Sequence, residues 1–523
     1  MIEQTLKQIP FKMAAKQAHQ RFTLTIVFHP DLQRIGQQYQ TQAASIHISR
    51  LSPLFGRGLN DPCPEPLADN FLSRTPISIN KNGNDWHLSN EDSPIHLSTV
   101  NEANLRHMTL TTAMLEKGVP IILAGRIVLL CHLRQPIEDA MADDMGLVGV
   151  SHNLCQVRSL ISKVAQLKTP VLIRGESGTG KELVAQAIHK YSERSVKPLV
   201  CVNMAAISKE LVNAELFGSV KGAFTGAISR DGYFKEAHGS CLFLDEIGEA
   251  SQEVQIALLR ALETGVIQAV GSDKTTNIDT RFIAATDADL EALIGKESFR
   301  MPLLQRLSGL VIELAPVNKR REDIGSILLA LLVNALKETQ QLDKLYSAEQ
   351  NNCAYWAWLF AQCCELNWPG NVRQLKNMVT QLSIALLGNK DVDTFAWHDF
   401  ILSIQKQHLL SENNTKNERG TNTTDSTSEK RKPRDIKDKE ILIALEKHQW
   451  QIKLAADELC ISRAALYQKI DASPLIRRAS HIPFSELKTS FKDCNGDLDK
   501  MVTKLQVSRQ ALKRRLHEIG LHD

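Results

Sequence analysis

The sequence predicts a multidomain chain: an all-β amino-terminal unit, a central α/β domain with a helical lobe, and an all-α helix-turn-helix segment at the carboxyl end. Three observations predict it. Residues 21–28 (RFTLTIVF) alternate with the period of a strand, and short apolar runs broken by Pro, Gly, Asn and Asp follow. From about 145 to 315, strand-like and helix-like runs alternate, the pattern of a parallel sheet covered by helices. Near the end, residues 460–466 (CISRAAL) and 506–512 (QVSRQAL) repeat one pattern with a period of 46.

Bulk properties bound the reading. At 523 residues the chain exceeds what one core serves. Its 43% apolar and 23% charged content is that of ordinary soluble protein. The longest apolar run, 119–131, is broken by Gly125 and Arg126 and is too short for a bilayer. The first residues lack a basic-then-apolar signal pattern, so a cytoplasmic protein without a membrane partner is expected. Ten scattered cysteines, none spaced Cys-x-x-Cys, read as reduced thiols. Charge is unevenly placed: residues 431–523 hold 19 Lys and Arg against 13 Asp and Glu, a net +6 on a body of −3. A basic terminal module suggests a polyanionic partner.

The β unit is expected over 20–133 and the α/β domain over 147–388, with its helical lid at about 318–388. Residues 405–435 are polar and nearly free of apolar groups, a linker with nothing to bury. Residues 436–523 carry the repeat. Each copy reads as helix, tight turn, and a second helix capped by Ser462 or Ser508. That second helix presents Arg463, Tyr467, Gln468 and Lys469 in one copy and Arg509, Lys513, Arg514 and Arg515 in the other. Arginine suits guanine edges and phosphates, and lysine suits phosphates, so double-stranded DNA is the expected partner. A lone basic helix would more simply be a solvated face; the repeat and its place after a linker favour DNA.

Gly175, Glu176, Ser177, Gly178, Thr179, Gly180 and Lys181 follow a strand (171–174) and open a helix on which Leu183, Val184, Ala187 and Ile188 recur. Glycines let backbone N–H groups approach phosphates, the helix end adds positive charge, and Lys181 supplies a point charge. Glu182 stands where Ser or Thr would usually ligate Mg²⁺. Residues 242–246 (LFLDE) form an apolar strand ending in two acids. Asp245 suits Mg²⁺, and Glu246 suits polarisation of an attacking water. Asn203, ending the strand at 199–202, could hold Glu246 by a side-chain hydrogen bond. Between these motifs lies Gly222-Ala223-Phe224-Thr225-Gly226-Ala227. Its glycines permit a tightly turned loop that offers Phe224 to another protein. The bland alternative is a buried turn with Phe224 as a core plug.

Together these residues resemble the AAA+ domain of bacterial enhancer-binding proteins, the ATPases that activate sigma-54 RNA polymerase. The resemblance runs from about 147 to 385. It implies ATP and Mg²⁺ as cofactors, with Glu182 normal at its position. It makes 222–227 the sigma-54 contact and Asn203 a switch residue. Arg300 and Arg306 would reach the γ-phosphate of the neighbouring subunit in a homo-hexamer, and Arg373, in Trp368-Pro369-Gly370-Asn371-Val372-Arg373, would sit on the nucleotide. Departures are Asp287 after Ala284-Ala285-Thr286, where Asn is frequent, and no acid before Leu303. The terminal repeats resemble Fis-type modules. Ser49-Arg50 and Leu72-Ser73-Arg74-Thr75-Pro76, in loops of the β unit, resemble a forkhead-associated (FHA) domain. That implies a regulatory protein or phosphopeptide partner, although a clean Gly-Arg, Ser-x-x-His, Asn-Gly series is absent. Two other classes stand beside it: a DNA-binding regulator whose ATPase body serves only oligomerisation, and an unfoldase, which would carry a pore-type aromatic loop and no DNA module.

Overall fold

In the computed structural model, β1 (Arg21–Phe28) is buried on both faces from Phe22 onward. The structure describes residues 20–400 except 59–60, 136–142, 209–210, 224–228, 347–349 and 389–399, with a few separate helical positions between 440 and 512. The chain divides into two compact units, Met1–Lys416 and Asn417–Asp523.

In the first unit, β1 is followed by β2 (Gln38–Thr41), β3 (Ser45–Ile48), β4 (Ile77–Asn82), β5 (Asp85–Ser89), β6 (Leu97–Ser98) and β7 (His107–Leu110), then a short helix α1 (Thr112–Lys117) and β8 (Val119–Leu123) and β9 (Ile127–Arg134). They form two antiparallel sheets, ordered β2-β1-β9-β8-β6 and β3-β4-β5-β7. Phe22, Leu24, Ile26 and Leu129 meet Ile46, Ile79 and Trp86 in one core, the interdigitation of a sandwich. The long apolar run is the β8–β9 hairpin, turned at Ala124 and Gly125, which both take positive φ. The Thr side of β1 is buried as well: Thr25 Oγ1 lies 2.7 Å from His132 Nε2.

The second layer system begins with α2 (His152–Val164), capped by Ser151. It continues through β10 (Val171–Arg174), α3 (Lys181–Lys190), β11 (Val200–Asn203), α4 (Val212–Phe217), α5 (Tyr233–Glu236), β12 (Cys241–Asp245) and α6 (Gln252–Thr264). A small hairpin of β13 (Val266–Gln268) and β14 (Thr275–Asn277) precedes β15 (Arg281–Thr286), α7 (Leu290–Gly295), α8 (Met301–Leu307) and β16 (Leu310–Glu313). The main sheet is parallel, ordered β11-β12-β15-β10-β16. Helices cover it, and its strands are apolar except at their ends, as a largely buried sheet requires. On α3, Val184, Ala187 and Ile188 are buried while Leu183 is about half exposed.

The helical lobe holds α9 (Ile324–Glu338), α10 (Asp343–Tyr346), α11 (Gln350–Glu365) and α12 (Asn371–Ala385). Its core, around Trp356, Phe360, Trp368 and Leu375, is continuous with Val27, Phe28, Ile122 and Leu130 of the sandwich. In the second unit, Leu466 and Leu512, equivalent in the repeat, are both helical and buried. The linker 405–435 and Arg463, Tyr467, Lys469, Arg509, Lys513 and Arg514 lie outside the described residues.

Candidate functional site

Parallel register aligns the carboxyl ends of four strands. Arg174 pairs with Thr286, Leu244 with Ala284, and Asn203 with Asp245. The loops at 175–181, 245–246 and 286–287 therefore leave one edge of the sheet, where open α/β sheets bind ligands.

The glycines of the first loop are sterically required. A Cβ on Gly178 would stand 2.4 Å from the Gly370 carbonyl oxygen, and one on Gly175 would stand 2.8 Å from that of Leu314. Gly180, at φ +106, opens α3 without a side-chain cap. The helix start thus keeps donors that a phosphate can take. Lys181 is 6% exposed, and its Nζ donates to the Gly175 carbonyl at 2.9 Å. No acid pairs with it in an ion bridge among the described residues. A buried ammonium with carbonyl partners only is fitted to an incoming anion. Glu182 accepts from Gln186 Nε2 at 3.2 Å.

Asp245 Oδ1 accepts the Glu246 amide at 3.1 Å. Glu246 sits at φ 53, the left-handed region, which turns its carboxyl out of the strand line. Burial first, then the Asp287 carboxylate, push the Glu246 carboxyl above its ordinary range, and nearby Lys181 opposes this. A side-chain hydrogen bond to Asp287 adds to the same upward push. The expected Asn203–Glu246 bond is not among the hydrogen bonds of the described residues; Asn203 Oδ1 accepts from Ala205 N at 2.9 Å.

The helical lobe grips the same loop. Arg373 Nη1 donates to Ser177 Oγ at 2.8 Å, and the Val372 amide to the Gly178 carbonyl at 2.9 Å. Sequence reasoning missed two further residues. Asn371, fully buried and at φ 51, accepts the Val317 amide at 2.8 Å and donates to Ser177 O at 3.0 Å and Glu176 Oε2 at 3.2 Å. Arg320, 3% exposed, donates to Ala315 O and Thr179 O, each at 2.9 Å. Only the motif position of Asn371 could have signalled the first; no local pattern marks the second.

Arg300, the cap residue just before α8, and Arg306 on α8 are both exposed. Arg300 donates its backbone N–H to Gln255 Oε1 at 2.9 Å; Arg306 Nε pairs with Glu263 Oε1 at 3.3 Å. For the 222–227 loop, Gly222 and Ala223 are described and Phe224, Thr225, Gly226 and Ala227 are not. Its root is tied to the small hairpin: the Val220 amide donates to Val270 O at 3.1 Å.

A family model described as "Sigma-54 interaction domain" matches residues 147–313, and one described as "Bacterial regulatory protein, Fis family" matches 432–472. The transcriptional regulatory protein ZraR of Salmonella typhi is 35% identical over 345 residues, covering 65% of this chain and 72% of that protein. The chain belongs to the family of sigma-54-interacting regulators. The Nif-specific regulatory protein of Rhodobacter capsulatus is 43% identical over 237 residues, and ZraR of Escherichia coli (strain K12) 42% over 248. The matches cover 45% and 47% of this sigma-54-interacting regulator. It spans 39% of the first protein's length and 54% of the second's. The crystal structure of NtrX from Brucella abortus in complex with ADP aligns at 25% identity over 72% of this chain and 70% of that chain, with a TM-score of 0.44. The Fis-type match takes in the first terminal repeat, including Arg463, Tyr467 and Lys469.

Proposed function

We propose that this protein is a DNA-bound transcription activator that hydrolyses ATP to remodel sigma-54 RNA polymerase and open a promoter. The observation that carries the reading is the convergence on one sheet edge of the glycine loop with its buried Lys181, the Asp245–Glu246 pair, and Asp287. Membership of the sigma-54-interacting family supports the target.

In this reading, residues 175–182 and Arg373 hold the phosphates of ATP. Asp245 holds Mg²⁺, directly or through water, and the ion would neutralise phosphate charge. Glu246 takes the proton of the attacking water. Asn203, beside Asp245 in register, relays the state of the site toward 222–227. Arg300 and Arg306, exposed at the start of α8 and along it, complete the site of a neighbouring subunit in a hexamer. An arginine supplied in trans is worth about 10³–10⁵ in rate, so assembly gates hydrolysis. Phe224 and Thr225 press on sigma-54. The paired terminal modules at 436–523 hold upstream DNA, and the FHA-like sandwich receives a regulatory protein or phosphopeptide. The cytoplasm is the compartment for such work; among the described residues no helix is long and apolar enough to cross a membrane.

The test is phosphate release with Mg²⁺ at ring-forming concentration. Glu246→Gln should lower kcat by about 10²–10⁴. Equal rates in wild type and variant would favour a regulator whose ATPase body serves only oligomerisation. Thr225→Ala should keep hydrolysis and lose open-complex formation on a sigma-54 promoter; retained opening would remove the loop's role.

A further inference from the structure

Helix α6 starts just after the turn that follows Asp245 and Glu246, and one residue in its first turns is out of character. Gln255 is fully buried, on a helix whose other buried residues are Val254, Leu258 and Ala261. A side-chain amide is costly to bury unless its donors and acceptor find partners. Here they find them from two directions. Nε2 donates to Ala250 O at 2.8 Å and to Ser298 O at 2.9 Å, and Oε1 accepts the Arg300 amide at 2.9 Å. Turned over, the amide would set Oε1 against two carbonyls, so one orientation alone satisfies all three groups.

Those three backbone groups belong to two segments. Ala250 closes the 3-10 turn Ile247–Glu249, which Glu246 opens. Ser298 and Arg300 flank Phe299, whose buried ring shares one core with Leu258 and Leu303. Ser298 N also donates to Leu293 O of α7 at 3.0 Å, and Gln252 Nε2, on the exposed side of α6, to Glu297 O at 3.0 Å. At Arg300 itself the main chain is extended, carries no side-chain cap bond, and is held by Gln255. No ion pair of Arg300 occurs among the described residues, whereas Arg306 pairs with Glu263 near the far end of the same α6. That pair is exposed on both sides, where ion pairs hold little. The direction in which Arg300 leaves the domain is thus set by its main chain, and that main chain is fixed from inside by one carboxamide.

We propose that Gln255 is a positioning residue for hydrolysis: it aims Arg300 at the nucleotide of the neighbouring subunit and fixes that aim to the turn that leaves the subunit's own acid strand. The proposal rests on the ATPase reading above, with Arg300 acting in trans, and adds to it a residue that touches no nucleotide. An arginine that stabilises a transferring phosphoryl group must arrive in place. A misplacement of about 1 Å can cost about 10² in rate. Gln255 meets Arg300 only at the backbone, so losing the carboxamide shifts the guanidinium without removing it. The site that suffers is the neighbour's; in its own subunit Lys181 and Glu246 remain.

The test is complementation between subunits of the full chain at ring-forming concentration. Gln255→Met keeps the length and bulk of the side chain and removes all three bonds. Alone it should bind a non-hydrolysable ATP analogue within about twofold of wild type and lose about 10² in kcat. Glu246→Gln alone should be slow for the opposite reason: its own base is gone while its Arg300 stays held. Mixed, the two should turn over ATP about tenfold faster than either alone, because at some interfaces a sound site then meets a held arginine. Within one chain, Gln255→Met added to Arg300→Ala should cost no more than about twofold beyond Arg300→Ala, since residues acting as a unit are not additive. A mixture no faster than its parts, an additive fall, or a Gln255→Met chain that no longer binds the analogue would each show that Gln255 serves its own site or fold, and overturns the proposal. A Gln255→Met rate equal to wild type overturns it as well. A wild-type chain inert toward ATP would bring down the ATPase reading and this proposal with it; an active wild type with failed complementation brings down this proposal alone.

Discussion

Two glycine-bearing loops of this protein use the residue for opposite ends. Gly178 takes φ +75 in a space so tight that a Cβ would collide with the Gly370 carbonyl. Gly222 takes φ +88 with nothing within 4 Å of where a Cβ would stand. The first glycine brings two backbones together; the second only sets a direction of turn. In the glycine loop at 175–181 the residue is a packing requirement, and at the root of the 222–227 loop it is a conformational one.

Gly178→Ala tests the packed loop and carries the largest effect. Left-handed strain of about 1–2 kcal/mol adds to overpacking of about 1–3 kcal/mol, so kcat/KM for ATP should fall by about 10² or more. A fall under tenfold, with unchanged nucleotide affinity, would show that the lobe is not held this closely in solution.

Asp287→Asn tests the chemistry beside that loop. The Glu246 carboxyl stands above its ordinary range through burial first and the Asp287 charge second. A water-activating base must be ionised, so removing the second cause should move the acid limb of the ATPase pH profile to lower pH. Burial remains, so the limb should not return all the way. Linkage gives the matching sign for stability. A carboxylate with a raised folded pKa contributes stability at low pH that is lost as pH rises through that pKa. The variant should lose less over that interval in thermal melts at matched pH values. A limb that stays put or moves up would remove Asp287 from the site.

Gly222→Ala carries the smallest effect on catalysis. Nothing collides, and only the turn is strained, by about 1–2 kcal/mol. Hydrolysis should stay within about twofold of wild type, while open-complex formation falls. Loss of hydrolysis would mean that the two glycines are not separable after all.

Much of this was legible in the sequence, and the division is physical. The phosphate loop, the Asp245–Glu246 strand and the strand at 171–174 were readable because each carries its chemistry within a few consecutive residues. Asn203 was placed at the right strand end, beside Asp245, but its partner was misread. The left-handed backbone of Glu246 decides where that carboxyl goes, and no side-chain pattern encodes it. Arg320 was invisible because its acceptor, Thr179, is 141 residues away. Alternation in β1 correctly gave one buried face and concealed the other. The uninterrupted apolar run of β9 (IVLLC) was the signal that something would cover its far side.

The grip of α12 on the phosphate loop runs partly through main-chain atoms, the Val372 amide on the Gly178 carbonyl. Such a joint is blind to which side chain occupies position 372. Sequence drift at that position can therefore proceed without breaking this bond, whereas a proline at 372, which has no amide hydrogen to give, would remove it in one step.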